Sequence, residues 1–194
     1  MFINAPEDSS ETAKFYDSSA DSQGFVMNLI RAWAWRPEVF GEFAALRSRL
    51  TSKSSLSKRE LVVMVCAGAA ELGDSYCSLA FGGTLAREAG AGVAAAVIGN
   101  GTTEELNERE QALALWARKV VSSPNATTAA DVDALRKAGL SDREVFEATL
   151  FVAFRQAFST VNDALGVSPD LQLVEQAPAE VRAVVTFGRT PADR

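Results

Sequence analysis

One long segment, SDREVFEATLFVAFRQAFSTVNDALG at residues 141–166, constrains the fold of this chain more than any other feature. Ser141 followed three residues later by Glu144 is the capping-box pattern that starts a helix, and Gly166 is placed to end it. A helix of this length spans most of a small domain. We therefore expect it to be the central helix, with the other elements packed around it.

The rest of the chain also has helical spacing. A second capping box, Ser57 with Glu60, precedes the apolar segment LVVMVCAGAAEL, and Gly73 is placed to end that helix. Further helices are predicted at residues 8–22, 24–35, 37–50, 75–90, 92–99, 108–122, 130–139, 168–176 and 178–187. No segment shows the alternation of a half-buried strand, so the sequence predicts an all-α helical bundle.

Two of these segments resemble each other. LSKRELVVMVCAGA (56–69) and LNEREQALALWARK (106–119) both place L-x-x-R-E before an apolar helix. A repeated unit of this kind favours two similar helices packed about a pseudo-twofold axis.

The composition fits one globular domain. A chain of 194 residues with 47% hydrophobic content buries enough surface to fold without disulfides or a metal, so we expect one all-α domain over 1–194 with flexible ends at 1–10 and 188–194. The acidic, polar start lacks the pattern of a signal peptide and no run of eighteen apolar residues occurs, which favours a cytoplasmic protein. A net charge of −6 argues against nucleic-acid and membrane partners.

The chain contains no histidine, and this absence excludes much chemistry. No side chain has an unperturbed pKa near 7, and nucleophile pairs that depend on histidine are excluded. With only two cysteines the usual zinc sites are disfavoured too, so we expect neither metal nor cofactor. Any proton transfer must use a carboxylate, a tyrosine, a lysine or water.

The stretch ELGDSYCSLAFGG (71–83) places Cys77 in the first turn of a helix. Asp74 is a good N-cap for that helix, or alternatively a proton acceptor or ligand anchor. The helix dipole favours the Cys77 thiolate and the Asp74 carboxylate opposes it by a comparable amount, so the thiol should stay largely protonated at pH 7. Tyr76 is either a core residue or a hydrogen-bond donor into the same pocket. Cys77 is equally well explained as a small buried hydrophobe and as a reactive thiol.

With the helices placed, the run from Leu56 to Phe81 resembles the core of the carboxymuconolactone decarboxylase and alkylhydroperoxidase-D-like family. These are all-α proteins whose active members carry Glu-x11-Cys-x2-Cys-x3-His. GFVMNLIRAWAWRPEVFGEF is similar to the entry segment of the family's peroxidase-related branch, and residues 106–154 and 162–170 are similar to its C-terminal half. The resemblance covers roughly residues 20–170 and implies a bundle of the alkylhydroperoxidase-D-like type.

The catalytic motif of that family is incomplete in this chain. When Cys77 is set on the second cysteine, Asp74 takes the position of the first, Phe81 that of the histidine and Val62 that of the glutamate. In the family the second cysteine attacks the peroxide and the first resolves it as a disulfide. The resemblance therefore implies a weak or altered Cys77-dependent hydroperoxide reductase, a lyase of the same family, or a non-catalytic member that keeps the pocket for a small organic molecule.

Arg155 and Gln156 interrupt the apolar segment FVAFRQAF, and we expect one of them to reach the pocket beside Phe81. A buried guanidinium needs a carboxylate partner, for which Glu71 or Asp74 would serve; alternatively Arg155 extends to the surface. Glu71 could also substitute for the missing glutamate if the fold turns it inward.

Three further expectations concern neighbouring groups. Cys66 lies seven residues before Gly73 and Cys77 four after it, which disfavours a disulfide between them and favours an external thiol as the resolving group. The adjacent glycines Gly82 and Gly83 inside a helix suggest close approach by another helix or a ligand. The apolar surplus of GFVMNLIRAWAW beside the long helix favours a homo-oligomer.

Overall fold

The computed structural model describes residues 1–192, and within that range the chain forms α-helices and one short 3-10 turn but no strand. The all-α prediction is confirmed. The helices are α1 (Ser10–Gln23), α2 (Asn28–Trp33), α3 (Pro37–Ser52), α4 (Lys58–Leu72), α5 (Ser75–Ala89), α6 (Ala91–Ile98), α7 (Glu108–Ser122), α8 (Ala129–Lys137), α9 (Asp142–Ala164), α10 (Leu171–Gln176) and α11 (Ala179–Val184).

The centre of the bundle is α4 rather than the longest helix, α9. Every residue of α4 from Glu60 to Ala69 is buried, and α4 packs against α5, α6, α7 and α9. Small residues allow this close packing: a Cβ added at Gly68 would lie 3.6 Å from Val121 Cγ1 of α7. By contrast α9 keeps one face exposed. The expectation of a central α9 is therefore wrong. A central helix has to be apolar on all sides, as most of α4 is, and a long helix need not be.

The repeated L-x-x-R-E motif has a structural counterpart in two reciprocal ion pairs. Arg59 of the first copy pairs with Glu110 of the second, with 2.7 Å between Nε and Oε1, and Arg109 of the second pairs with Glu60 of the first. Both glutamates also complete the capping boxes that start α4 and α7. The exchange supports the predicted pseudo-twofold relation between these two helices.

The entry segment 24–35 is only partly helical. Gly24 ends α1 in the left-handed conformation, with φ of 82°, and residues 25–27 are not helical, so α2 is confined to Asn28–Trp33. Asp170 Oδ1 accepts the backbone N–H of Asn28 at 2.9 Å, and Trp33 Nε1 donates to Asn162 Oδ1 at 2.9 Å. These tertiary bonds, which local spacing does not report, hold the segment against the rest of the bundle.

The two ends of the described chain contact the bundle. Phe2 N donates to the Leu165 carbonyl at 2.8 Å, Ser75 Oγ donates to the Arg189 carbonyl at 2.8 Å, and Ala192 N donates to the Pro169 carbonyl at 3.0 Å. The final segment thus crosses the start of α5. The predicted flexibility of 1–10 and 188–194 stays a prediction, and residues 193 and 194 lie outside the described residues.

No helix within residues 1–192 combines the length and the hydropathy needed to cross a bilayer.

Candidate functional site

The start of α5 is shaped by Gly73 and Asp74. Gly73 ends α4 in the left-handed conformation, with φ of 72°, and Asp74 is the N-cap of α5 as predicted. Asp74 Oδ1 accepts the backbone N–H of Cys77 at 2.8 Å, and its Oδ2 is buried without a hydrogen-bond partner in the described part of the chain. Capping therefore uses one carboxylate oxygen and leaves the other free.

Two side chains of α9 donate to the Cys77 sulfur. Arg155 Nη2 lies 3.4 Å and Ser159 Oγ 3.7 Å from Sγ. The two donors are four residues apart, so they share one face of α9. Ser159 was missed at the sequence level, although its spacing from Arg155 is a signal that could have found it.

Ionisation of the Cys77 thiol is strongly disfavoured. Burial raises its pKa to about 12, the negative charge of Asp74 adds to the rise, and Arg155 and Ser159 act in the opposite direction. The effects of the helix dipole and of Asp74 can be read from the sequence, whereas burial, the largest cause of the raised pKa, cannot. At pH 7 the group is a thiol, as expected.

Arg155 has no carboxylate partner among residues 1–192, so the expected ion pair with Glu71 or Asp74 is wrong. Its guanidinium instead stacks on two rings, with Cζ 4.6 Å from the centroid of Phe81 and 5.5 Å from that of Phe158. The residue is 8% exposed, so it does not reach the surface either, and its Nε lacks a partner in the part of the chain that the structure describes. Ring faces and the Cys77 sulfur take the place of a carboxylate.

A cavity of about 490 Å³ opens beside Cys77, between α5, α9 and the helices of the N-terminal third. Its wall is mainly apolar and includes Cys77, Tyr76, Phe81, Arg155 and further aromatic rings at Phe15, Phe40 and Phe158. A cavity of this size and lining is typical of sites for small organic molecules. The fold thus brings four of the seven predicted site residues to one cavity.

Tyr76 contributes its ring but not its hydroxyl. The hydroxyl donates to Asp170 Oδ2. The ring is buried in a second hydrophobic core, separate from the one around α4, whose other buried members are Leu29, Ile30, Ala32, Trp33, Val167 and Leu173. Burial and the adjacent Asp170 raise the pKa of Tyr76 above its ordinary value. The hydroxyl is therefore committed to the fold, and Tyr76 is not a free donor for a ligand.

The remaining predicted residues lie elsewhere. Glu71 is exposed, and its Oε2 pairs with Arg118 Nη1 at 3.3 Å, because it falls on the outer side of α4. Gln156 lies about 100° around α9 from Arg155, so its Nε2 donates to the Val121 carbonyl of α7 at 3.2 Å instead of entering the large cavity.

Cys66 is a second buried thiol that plays no part in the wall of the cavity. Both cysteines are free. Burial is the main cause that raises the pKa of Cys66, and the nearby Cys77 adds to it. No group of three or more acidic or thiol side chains placed to hold a metal occurs in the described residues.

Similarity to known proteins was found at the level of structure. No protein-family model and no curated protein matches this chain. A peroxidase-related protein with an alkylhydroperoxidase AhpD core from Ralstonia eutropha is 25% identical, with a TM-score of 0.75 over 97% of each chain.

Two other solved structures share the fold. A peroxidase-related protein from a Silicibacter species is 20% identical, with a TM-score of 0.75 over 95% of each chain. A cysteine-to-alanine variant of the debrominase Bmp8, in complex with 2,3,4-tribromopyrrole, is 16% identical, with a TM-score of 0.71 over 94% of this chain and 95% of that one. The helical arrangement is therefore shared over almost the whole length.

Proposed function

Because the chain belongs to the alkylhydroperoxidase-D-like, peroxidase-related family, we propose that it reduces a small organic hydroperoxide with the thiol of Cys77. One observation carries the proposal: Cys77 lies on the wall of the 490 Å³ cavity, with Arg155 Nη2 3.4 Å from its sulfur. A nucleophilic sulfur needs both an adjacent cation and access to a substrate, and this position supplies both.

The reaction has one bond-forming step at sulfur. Cys77 Sγ attacks the distal oxygen of the hydroperoxide, the S–O bond forms and the O–O bond breaks. The alkoxide leaves with the bonding electron pair and takes up the proton that the thiol releases. The cysteine is oxidised to a sulfenic acid and the hydroperoxide is reduced to an alcohol.

Two residues assist this step. Arg155 stabilises the developing thiolate through its existing contact with the sulfur. Asp74 accepts the thiol proton, since its charge acts on Cys77 and its Oδ2 has no other partner in the described chain. Because Asp74 does not line the cavity, a water molecule carries the proton on to the leaving oxygen. Asp74 thus replaces the histidine and glutamate relay of active family members.

An external thiol returns Cys77 to its reduced form. The first thiol condenses with the sulfenic acid, releasing water and forming a mixed disulfide, and a second thiol displaces Cys77. We place this cycle, an antioxidant function, in the cytoplasm, where free thiols are kept reduced. The aromatic wall favours an organic hydroperoxide over hydrogen peroxide because apolar contacts bind the organic group.

A second candidate function is non-catalytic binding of a small organic molecule. The observation that favours it is the pKa of Cys77, raised to about 12, together with Phe81 at the position where active relatives carry histidine. A thiol that remains protonated is a poor nucleophile. Both functions use the same cavity, so a test has to follow the sulfur.

The test compares cumene hydroperoxide consumption by the wild type, Cys77→Ala and Cys66→Ala in the presence of dithiothreitol. We expect consumption by the wild type and by Cys66→Ala but not by Cys77→Ala, with a sulfenic acid trapped on Cys77 and detected by mass spectrometry. No consumption by the wild type at any pH between 7 and 9 would leave only the binding function.

The reactivity of the Cys77 thiolate has a predicted pH profile. Below a pKa of about 12 the thiolate fraction of Cys77 rises about tenfold for each pH unit. We therefore expect the rate of Cys77 alkylation by iodoacetamide, a reaction of the thiolate, to increase between pH 7 and 9 without a plateau. A plateau near pH 7 would indicate that the nucleophile is a different group or that the thiol ionises far more easily.

A further inference from the structure

The cavity beside Cys77 has an unusual charge. Three arginines, Arg47, Arg87 and Arg155, line it, and no aspartate or glutamate is among its described lining residues. The chain as a whole carries 25 acidic and 19 basic side chains, so this wall has the opposite sign to the protein around it. A cationic cavity in an anionic protein favours negatively charged ligands.

Arg155 is the buried member of this group. It is more than nine-tenths buried and lines the cavity. Within the described chain its Nε has no partner, and its only side-chain hydrogen bond goes from Nη2 to the Cys77 sulfur. A buried guanidinium without an anion is costly, and stacking on two rings offsets only part of that cost. The side chain retains donors that can bind an anion.

Arg47 faces Arg155 from α3. Arg47 is an exposed residue, but the packing around its guanidinium and the charge of Arg155 lower its pKa. No ion pair or side-chain hydrogen bond of Arg47 occurs within residues 1–192. The two cations also line a neighbouring cavity of about 380 Å³. They repel each other, and a bound anion would remove that repulsion.

We propose that the cavity binds an organic acid, with its carboxylate between Arg47 and Arg155 and its apolar body against Phe40, Phe81 and Phe158. The carboxylate accepts charge-assisted hydrogen bonds from two guanidinium groups, the geometry that arginine suits best. The aromatic rings account for the apolar body, which a small inorganic anion lacks. The binding of the acid is independent of the function proposed above. Only the further statement that the acid carries the hydroperoxide group reduced by Cys77 rests on that function.

Isothermal titration of the Cys77→Ala variant separates charge from apolar contact. Its ligands are decanoate, decanol and inorganic phosphate. We expect decanoate to bind at least tenfold more tightly than either of the others, since one ligand lacks the charge and the other the apolar body. Equal affinity for decanol would overturn the role of the arginines, and equal affinity for phosphate would overturn that of the rings.

Arginine variants locate the carboxylate. Arg47→Gln should weaken decanoate binding about tenfold and leave decanol binding unchanged, because a charge-assisted hydrogen bond is lost. Arg49→Gln is the matched control, since it lies on the same exposed stretch of α3 and does not line the cavity. A loss of decanoate affinity in Arg49→Gln equal to that in Arg47→Gln would contradict the proposal. Arg155→Gln should also weaken binding; if it does not fold, Arg47→Gln decides the question alone.

The two proposals fail in different ways. Decanoate binding to Cys77→Ala, combined with a wild type that consumes no hydroperoxide, would retain the organic-acid site and reject the peroxidase. Consumption of the neutral cumene hydroperoxide, combined with no preference for decanoate over decanol, would retain the peroxidase and reject the organic-acid site.

Discussion

At the residue scale, Asp74 both positions Cys77 and suppresses its ionisation. Its Oδ1 caps α5 and fixes the turn that carries the thiol, while its charge raises the pKa of that thiol. Asp74→Asn keeps a good N-cap and removes the charge, so the pKa of Cys77 should fall. A fall of one unit would make alkylation by iodoacetamide about tenfold faster at pH 8.

The same variant tests the proposed proton transfer. If Asp74 accepts the thiol proton, Asp74→Asn should reduce hydroperoxide consumption even though alkylation becomes faster. Asp74→Ser, another uncharged cap, should behave in the same way. An increase in both rates would show that Asp74 only suppresses the thiolate.

Asp163 is a partly buried carboxyl group near this site. Burial raises its pKa to about 7, the charge of Asp74 adds to the rise, and Arg189 opposes it. Between about pH 4 and 7 the folded chain therefore holds a proton that the unfolded chain has released, so this group lowers stability as the pH rises. Asp163→Asn should raise the free energy of unfolding relative to the wild type more at pH 8 than at pH 5, as measured by urea denaturation. An equal effect at both pH values would contradict the raised pKa.

At the element scale, the glycine pair of α5 shows how helices approach each other. A Cβ at Gly82 would lie 2.7 Å from Val181 Cγ1 and 2.9 Å from Ile98 Cδ1, so α11 and α6 pack directly on this position. A Cβ at Gly83 would meet only the end of the Arg87 side chain, at 3.8 Å. The expected close approach is confirmed for Gly82 by neighbouring helices, and Gly83 lines the cavity instead.

This difference predicts opposite effects of two adjacent substitutions. In Gly82→Ala, overpacking should lower the free energy of unfolding by about 1–3 kcal/mol. The higher helix propensity of alanine should offset about 1 kcal/mol of that loss. Gly83→Ala, the control, should be neutral or stabilising by up to about 1 kcal/mol, because only the propensity gain applies. Thermal melting of both variants checks this, and equal destabilisation would contradict the packing of α5 against α6 and α11.

At the scale of the whole molecule, the outer face of α9 carries an apolar stripe. The exposed residues Phe146, Leu150, Ala153, Ala157 and Val161 follow one another at spacings of three and four, with Phe146 66% exposed. Within the entry segment 24–35, by contrast, most of the apolar residues pack in the second core. The apolar side chains of that segment are mostly buried within the domain, so the exposed stripe of α9 is the surface that favours assembly.

We expect this stripe to pair with a second copy of the chain. A twofold axis places the same face of two copies against each other, and the small side chains of Ala153 and Ala157 allow two copies of α9 to approach closely. Light scattering at micromolar concentration should give a dimer or larger oligomer, and Leu150→Arg should reduce the mass to that of a monomer without lowering the melting temperature of the domain itself. A monomeric wild type would reject the prediction.

The sequence by itself determined the helical class, the ends of the capped helices and the place of Cys77. Capping boxes at Ser57 and Ser141, the cap at Asp74 and the glycines that end helices act over a few residues, so their energies can be read locally. The family resemblance added the position of the site. Each of these signals depends on neighbours within one or two turns of the chain.

Only the tertiary structure decided which helix is central, what surrounds Arg155 and how far the Cys77 thiol is from ionising. Burial depends on every element packed around a group, so the pKa of Cys77 has no local signal, and neither has the absence of a carboxylate beside Arg155 within residues 1–192. Arg47 could not be identified as a cavity residue from the sequence either. It lies on α3, which is far from α9 in the chain and meets it only through tertiary packing. Long-range packing thus set the charge of the cavity, and with it the kind of ligand we expect there.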